Sequence, residues 1–359
     1  PGGDQPVPSR VMWALGGGCI GFMTACLGGR LRAPHMDPEK IAKRFAGFKE
    51  LAKVMQIAER GVPVAVGPGG NLEKEMAYGN HASVKKWRGK VWGKLVEDVV
   101  AEKVLVFRKE DADKIPGVRV SPLGVDEERT KQRVIHDLSF SGDSEEVGEE
   151  PVNRSTYFCD VPECEMASVM KELLERFLGL RKKYPTKRIL IQKMDICSAF
   201  RQIPVEPAGA PAFAYVLGEF LVVDLRLQFG WRGSPGWFGV VASAIEHAHR
   251  NTTRESVELT PSGVRTTAHV RIAPTEGGPI ATVPEKCVVR KLEGGGAGDT
   301  AMMRFFVDDA ISLEAMNEQN GERCLALTAA LASTHHVMLG ERREDEEQVL
   351  AKKKMTDWQ

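Results

Sequence analysis

Two adjacent aspartates, Asp308 and Asp309, stand between apolar stretches, with Met303 to Val307 before them and Ile311 and Leu313 after. The alternation reads as strand, tight turn, strand. Two carboxylates crowded at the head of buried strands are unfavourable unless positive charge sits against them. Asp195 poses the same problem, because it ends a second apolar strand, Arg188 to Met194. A neighbouring strand, parallel or antiparallel, would set Asp195 beside Asp308. Three converging carboxylates suit Mg2+, which takes oxygen ligands and keeps waters for a substrate phosphate. Two such ions, about 3.5–4 Å apart, would activate an attacking oxygen and stabilise a leaving one. Taken singly, an Asp-Asp pair is more often a plain turn and an Asp ending a strand a cap.

The rest of the chain supplies helices and strands in mixed order. Ile41, Phe45, Phe48, Leu51 and Met55 recur at helical spacing and predict one helix over residues 37–60. Gly67-Pro68-Gly69-Gly70 breaks the chain before a second helix over 80–101. Leu105 to Arg108 and Arg133 to Leu138 read as strands, and Pro116 to Leu123 as an extended segment. Ser139 to Glu150 is acidic and rich in Gly and Ser, which predicts an exposed loop. Met166, Val169, Met170, Leu173, Leu174 and Phe177 form one apolar helix stripe. Phe213 to Leu217 and Phe220 to Leu225 pair as a hairpin across Gly218-Glu219. Ser234 and Pro235 open a helix with Phe238, Val241, Ala242 and Ile245 on one face. Residues 251–300 are rich in Thr, Gly and Pro around an alternating patch, Val264 to Ile272, and read as an insertion. A helix is expected around Cys324, Leu327 and Leu331.

Composition narrows the possibilities. With 359 residues, 42% hydrophobic and 27% charged, the chain has length for two or three globular domains. Its 49 basic and 49 acidic residues give a net charge of zero, which argues against a protein that simply coats DNA. Local clusters survive that balance at Lys85 to Lys90, Arg181 to Lys183 and Lys352 to Lys354; any one alone is more often a solvated patch. The 7 cysteines are odd in number and scattered, so a disulfide framework and a structural zinc site are both disfavoured. An intracellular setting, cytoplasmic or nuclear, fits better than secretion. The uncharged run Val11 to Leu27 is at the short limit for a membrane span and reads as buried or irregular protein, without a membrane partner. Gly16 to Gly21 matches a dinucleotide-binding pattern, but the strand and acid that such a fold needs next do not follow. The start at Pro1 suggests a piece of something longer.

Four segments, in order, resemble the reverse transcriptase family. Phe306-Val307-Asp308-Asp309 resembles its aromatic-x-Asp-Asp motif, and Asp195-Ile196-Cys197-Ser198-Ala199-Phe200 its first catalytic motif. Leu227-Gln228-Phe229-Gly230-Trp231-Arg232-Gly233-Ser234-Pro235 is similar to the loop-to-helix motif between those two. Arg133 to Ser139, with Pro151-Val152-Asn153 beyond, resembles the fingers motif, and Ser121 to Gly124 falls where a strand enters the fingers. The wording is closest to retrotransposons of the long-terminal-repeat or tyrosine-recombinase kinds.

The resemblance implies an α+β right-hand polymerase, fingers and palm, whose palm is an antiparallel sheet backed by helices and whose thumb is absent. Residues 1–80 would be an N-terminal extension, 81–187 fingers-like, and 188–359 palm with the insertion at about 251–300. Asp195, Asp308 and Asp309 would be catalytic. They would hold two Mg2+ ions, or Mn2+, together with the backbone carbonyl of Ile196. Arg133 would grip the triphosphate, Phe200 would exclude a 2′-hydroxyl, and Phe229, Gly230 and Trp231 would floor the nascent base pair. Lys352 to Lys354 fall near where the family often carries a lysine that protonates pyrophosphate. Expected partners are a primed RNA or DNA template, dNTPs, and downstream thumb and RNase H regions of one polyprotein. The alternatives are an inactive retroelement-derived remnant that binds nucleic acid or protein, and a viral RNA polymerase. The latter would want Gly before the Asp pair and a smaller residue than Phe200.

Overall fold

The computed structural model describes residues 36–128, 131–141, 150–164, 166–186, 189–196, 198–252, 257–259, 287–289, 302–306, 309–315 and 354–358. Helices α1 (Pro38–Arg44), α2 (Leu51–Arg60), α3 (Leu72–Tyr78), α4 (Ala82–Lys86) and α5 (Arg88–Val100) come first. Strands β1 (Val104–Arg108), β2 (Leu123–Glu128) and β3 (Lys131–His136) follow, then α6 (Val152–Ser155) and α7 (Met166–Lys183). Next are β4 (Ile189–Asp195), β5 (Ala214–Leu217), β6 (Phe220–Asp224) and α8 (Ser234–Thr252). The later described strands are β7 (Val257–Leu259), β8 (Cys287–Val289), β9 (Met302–Phe306), β10 (Asp309–Ala315) and β11 (Lys354–Trp358). Each paired strand is antiparallel to its neighbour. Helices with antiparallel sheets make the chain α+β.

Two compact units emerge. Gln56–Pro162 and Phe200–Trp237 belong to one; Pro34–Met55, Glu163–Ala199 and Phe238–Gln359 belong to the other. In the first, three strands pair in the order β1-β6-β5, and β2 and β3 form a separate hairpin. Val91 and Leu95, four residues apart on α5, enter one core with Val104, Leu123, Tyr215, Leu217 and Val222. The β5–β6 turn is the expected two-residue connection, Leu217 opposing Phe220, with Gly218 at φ 63 as a tight hairpin requires. Val120 bridges Ala214, which sets the extended segment after Pro116 beside the start of β5.

In the second unit the sheet order is β11-β4-β10-β9. Val169, Leu173 and Leu180 of α7 pack on Ile189 and Leu313, with Phe177, Ile191 and Ile311 against them. Only part of the expected α7 stripe is buried: Met170 is 54% exposed and Leu174 57%. A helix turns about 100° per residue, so 170 and 174 follow one row and 169 and 173 another, and only the second row meets the sheet.

The single helix expected over 37–60 is two helices. Gly47, at φ 79, interrupts it between α1 and α2. Asp37 opens α1 by accepting from the Glu39 amide at 3.0 Å. Inside the expected insertion, β7 and β8 pair with Val257 opposite Val289. The glycine pattern at 16–21, the uncharged run, the Val264 to Ile272 patch and the Cys324 helix lie outside the described residues, as do Lys352 and Lys353. Cys159 and Cys164 are free and exposed. No helix among the described residues is long and apolar enough to cross a membrane.

Candidate active site

β4 and β10 lie side by side because both carry alternating apolar residues that cover one helix. Their antiparallel register puts Asp195, the last residue of β4, directly opposite Asp309, the first of β10. Opposed residues of such strands have Cα atoms about 4.5–5.5 Å apart. Asp309 also pairs with Phe306 of β9, so Val307 and Asp308, both outside the described residues, join the two strands as a two-residue connection. The aspartate opposite Asp195 is thus Asp309, one residue later than the Asp308 expected there. Asp309 is half-buried and Phe306 is exposed. Beyond β4, Ile196 is buried and Ser198 adopts φ 51, a left-handed conformation that a non-glycine residue takes at some cost. Lys354 starts β11 opposite Lys193 of β4.

Among the described residues β9 lies at one edge of this sheet, and α8 holds it. The Glu246 carboxylate is buried; its Oε1 accepts from the Phe305 amide at 2.8 Å and its Oε2 from Arg304 at 2.7 Å. Arg304 reaches Glu172 of α7 at 3.3 Å. The Phe305 ring meets Phe238, also on α8, edge to face at 6.3 Å. Neither Glu246 nor Arg304 was singled out in the sequence. A glutamate within an otherwise apolar helix face was the available signal.

The remaining expected residues belong to the first unit. Phe200 is buried, its ring 5.7 Å from that of Phe229, and Phe229 is 69% exposed. Gly230 passes so close to β3 that a Cβ there would lie 2.3 Å from the His136 carbonyl oxygen, which only glycine permits. Trp231, expected at the floor of a base pair, is buried beneath the loop; its indole N–H donates to the Thr156 hydroxyl at 3.0 Å. Asn153 pins the same loop. Its amide N–H groups donate to the Gly230 carbonyl at 2.8 Å and Ser139 Oγ at 2.7 Å, and its Oδ1 accepts from the Arg232 amide at 2.9 Å. Arg133 is exposed on β3 opposite Asp126, three residues and about 10 Å along the strand from His136.

The first unit also holds a buried ionic group that sequence reasoning missed. Arg201 binds Asp224 and, at 3.0 Å, Asp98. Burial works against the Arg201 charge, but Asp224 and Asp98 outweigh it and push its pKa up. Burial holds Arg226 down to about 10, against the pull of Asp224. The Tyr215 hydroxyl is raised by burial and then by Asp224. His136 is pushed down to about 4 by burial, so it is neutral and its Nε2–H donates to the Ala214 carbonyl at 3.2 Å. Among the described residues no three acidic, His or Cys side chains converge as a metal-binding group; the Asp195 side chain and Asp308 are not among those residues.

No family model and no curated protein matches the chain. Among solved structures, the foamy viral protease-reverse transcriptase in complex with double-stranded DNA matches at TM-score 0.39 and 12% identity. The match covers 84% of this chain and 41% of that one.

Proposed function

We propose that the chain is the fingers and palm of an RNA-directed DNA polymerase from a retroelement, adding dNTPs to a primer 3′-hydroxyl on an RNA or DNA template. The observation that carries this reading is the pairing of Asp195 with Asp309 across β4 and β10, with Asp308 bonded to the second. Like charges directly opposed on neighbouring strands repel. Aspartates brought to one end of neighbouring strands would offer oxygen donors alone, the chemistry of a divalent cation site.

Asp195, Asp308 and the Ile196 carbonyl would hold two Mg2+ ions, or Mn2+, with Asp309 as the weaker ligand. Bound there, the ions would supply activation of the primer oxygen and stabilisation of the leaving phosphate oxygen. The 3′-hydroxyl attacks the α-phosphate of the dNTP, the bond to pyrophosphate breaks, and positioning with charge stabilisation lowers most of the barrier. Arg133 offers a planar fork to the triphosphate. Phe200, held against Phe229, would close the space that a 2′-hydroxyl needs. Phe229 and Gly230 would face the nascent base pair, and Trp231 and Asn153 would support them from below. The duplex would be held through phosphates and shape, with little sequence preference.

The test is primer extension on an RNA template with dNTPs and Mg2+, comparing the chain with Asp308→Asn. Extension that needs the metal, rejects NTPs and drops at least about a hundredfold in the variant is expected. A folded chain silent both alone and joined to a downstream thumb would instead be the inactive binding remnant.

A further inference from the structure

We infer that Glu246 is a positioning residue for the proposed metal site, fixing the strand that delivers Asp308 and Asp309; this rests on the polymerase reading. An edge strand leaves a row of N–H and C=O groups without a neighbour, and its end is free to shift. Among the described residues β9 is such a strand, and it ends at Phe306, two residues before Asp308 in sequence. Glu246 answers one of those groups, the Phe305 amide, at 2.8 Å. Bonds to a charged acceptor are among the stronger ones, and the low exposure of this carboxylate, 5%, shields it from water.

Phe305 is therefore held twice from one helix, at its backbone by Glu246 and at its ring by Phe238. It lies three residues before Asp308 in sequence. Arg304 makes the carboxylate tolerable in the interior, sharing its guanidinium between Glu246 and Glu172. The three side chains link α7, α8 and β9 within one unit. Helix α8 thus sets the height of β9, the strand that precedes the two aspartates in sequence. Glu246 touches neither metal nor substrate on this account and acts through β9.

The experiment is Mn2+ binding measured calorimetrically on the full chain, wild type against E246A, E246Q and D308N, with folding checked by circular dichroism. Glutamine keeps an acceptor for the Phe305 amide and loses the charge; alanine loses both. Expected are binding about tenfold weaker in E246A, about threefold weaker in E246Q and abolished in D308N. A purely structural role would lower the melting temperature and leave the affinity of the folded protein unchanged. Wild-type affinity in whichever Glu246 variant folds overturns the inference alone. Wild-type affinity in D308N overturns the metal site itself, and the role of Glu246 with it.

Discussion

His136 shows how one residue couples burial to pH. Its ring is enclosed, donates to the Ala214 carbonyl and is pushed by burial to about 4, below its ordinary 6.5. The unfolded chain therefore takes up the proton first. Stability contributed by the neutral ring is full above pH 6.5 and is lost as pH falls through about 4. Between about pH 7 and about pH 4.5 the wild type should lose about 2 to 3 kcal/mol more than His136→Gln in urea unfolding. Equal losses would mean that the ring is solvated. At this scale the sequence was partly readable. Arg133, Phe200 and Phe229 stand out by type and motif, whereas the Arg201–Asp224 pair joins residues of ordinary appearance that only folding brings within reach. Trp231 illustrates the difference: its motif position was legible, but its burial and its bond to Thr156 depend on a segment far back in the chain.

Elements were more legible where their periodicity is local. β4, the β5–β6 hairpin, β9 and β10 all stand where alternation puts them, because period two is written into neighbouring residues. Helix α7 was also legible from Met166 to Phe177, but not in its continuation to Lys183 or in which of its apolar rows meets the sheet. Leu173→Ala should cost about 2–5 kcal/mol in chemical denaturation, whereas Leu174→Gln on the exposed row should cost at most about 0.5 kcal/mol. Comparable costs would show that both rows are covered. The break between α1 and α2 was missed because the apolar spacing runs through Gly47, whose left-handed backbone ends the first helix.

At the scale of the whole molecule, charge is balanced in total and uneven in place. Lys85, Arg88 and Lys90 are exposed on or beside α4 and α5, while nearby Lys86 is paired with Glu127 at 2.6 Å. On the polymerase reading, affinity for a primer-template duplex should fall with salt. Replacing Lys85, Arg88 and Lys90 with Ala should flatten the log–log slope by up to about 0.9 for each phosphate that is no longer neutralised. An unchanged slope would place those charges away from the nucleic acid. The sequence by itself determined the strand-turn-strand around Asp308 and Asp309 and the strand ending in Asp195, since both are set by apolar alternation within a few residues. Only the tertiary structure decided that Asp309 is the residue opposite Asp195, and that Glu246 and Asn153 hold the strand and the loop beside the expected site residues. Those partners stand far apart in sequence. Their meeting depends on how helices pack on sheets, which no local pattern encodes.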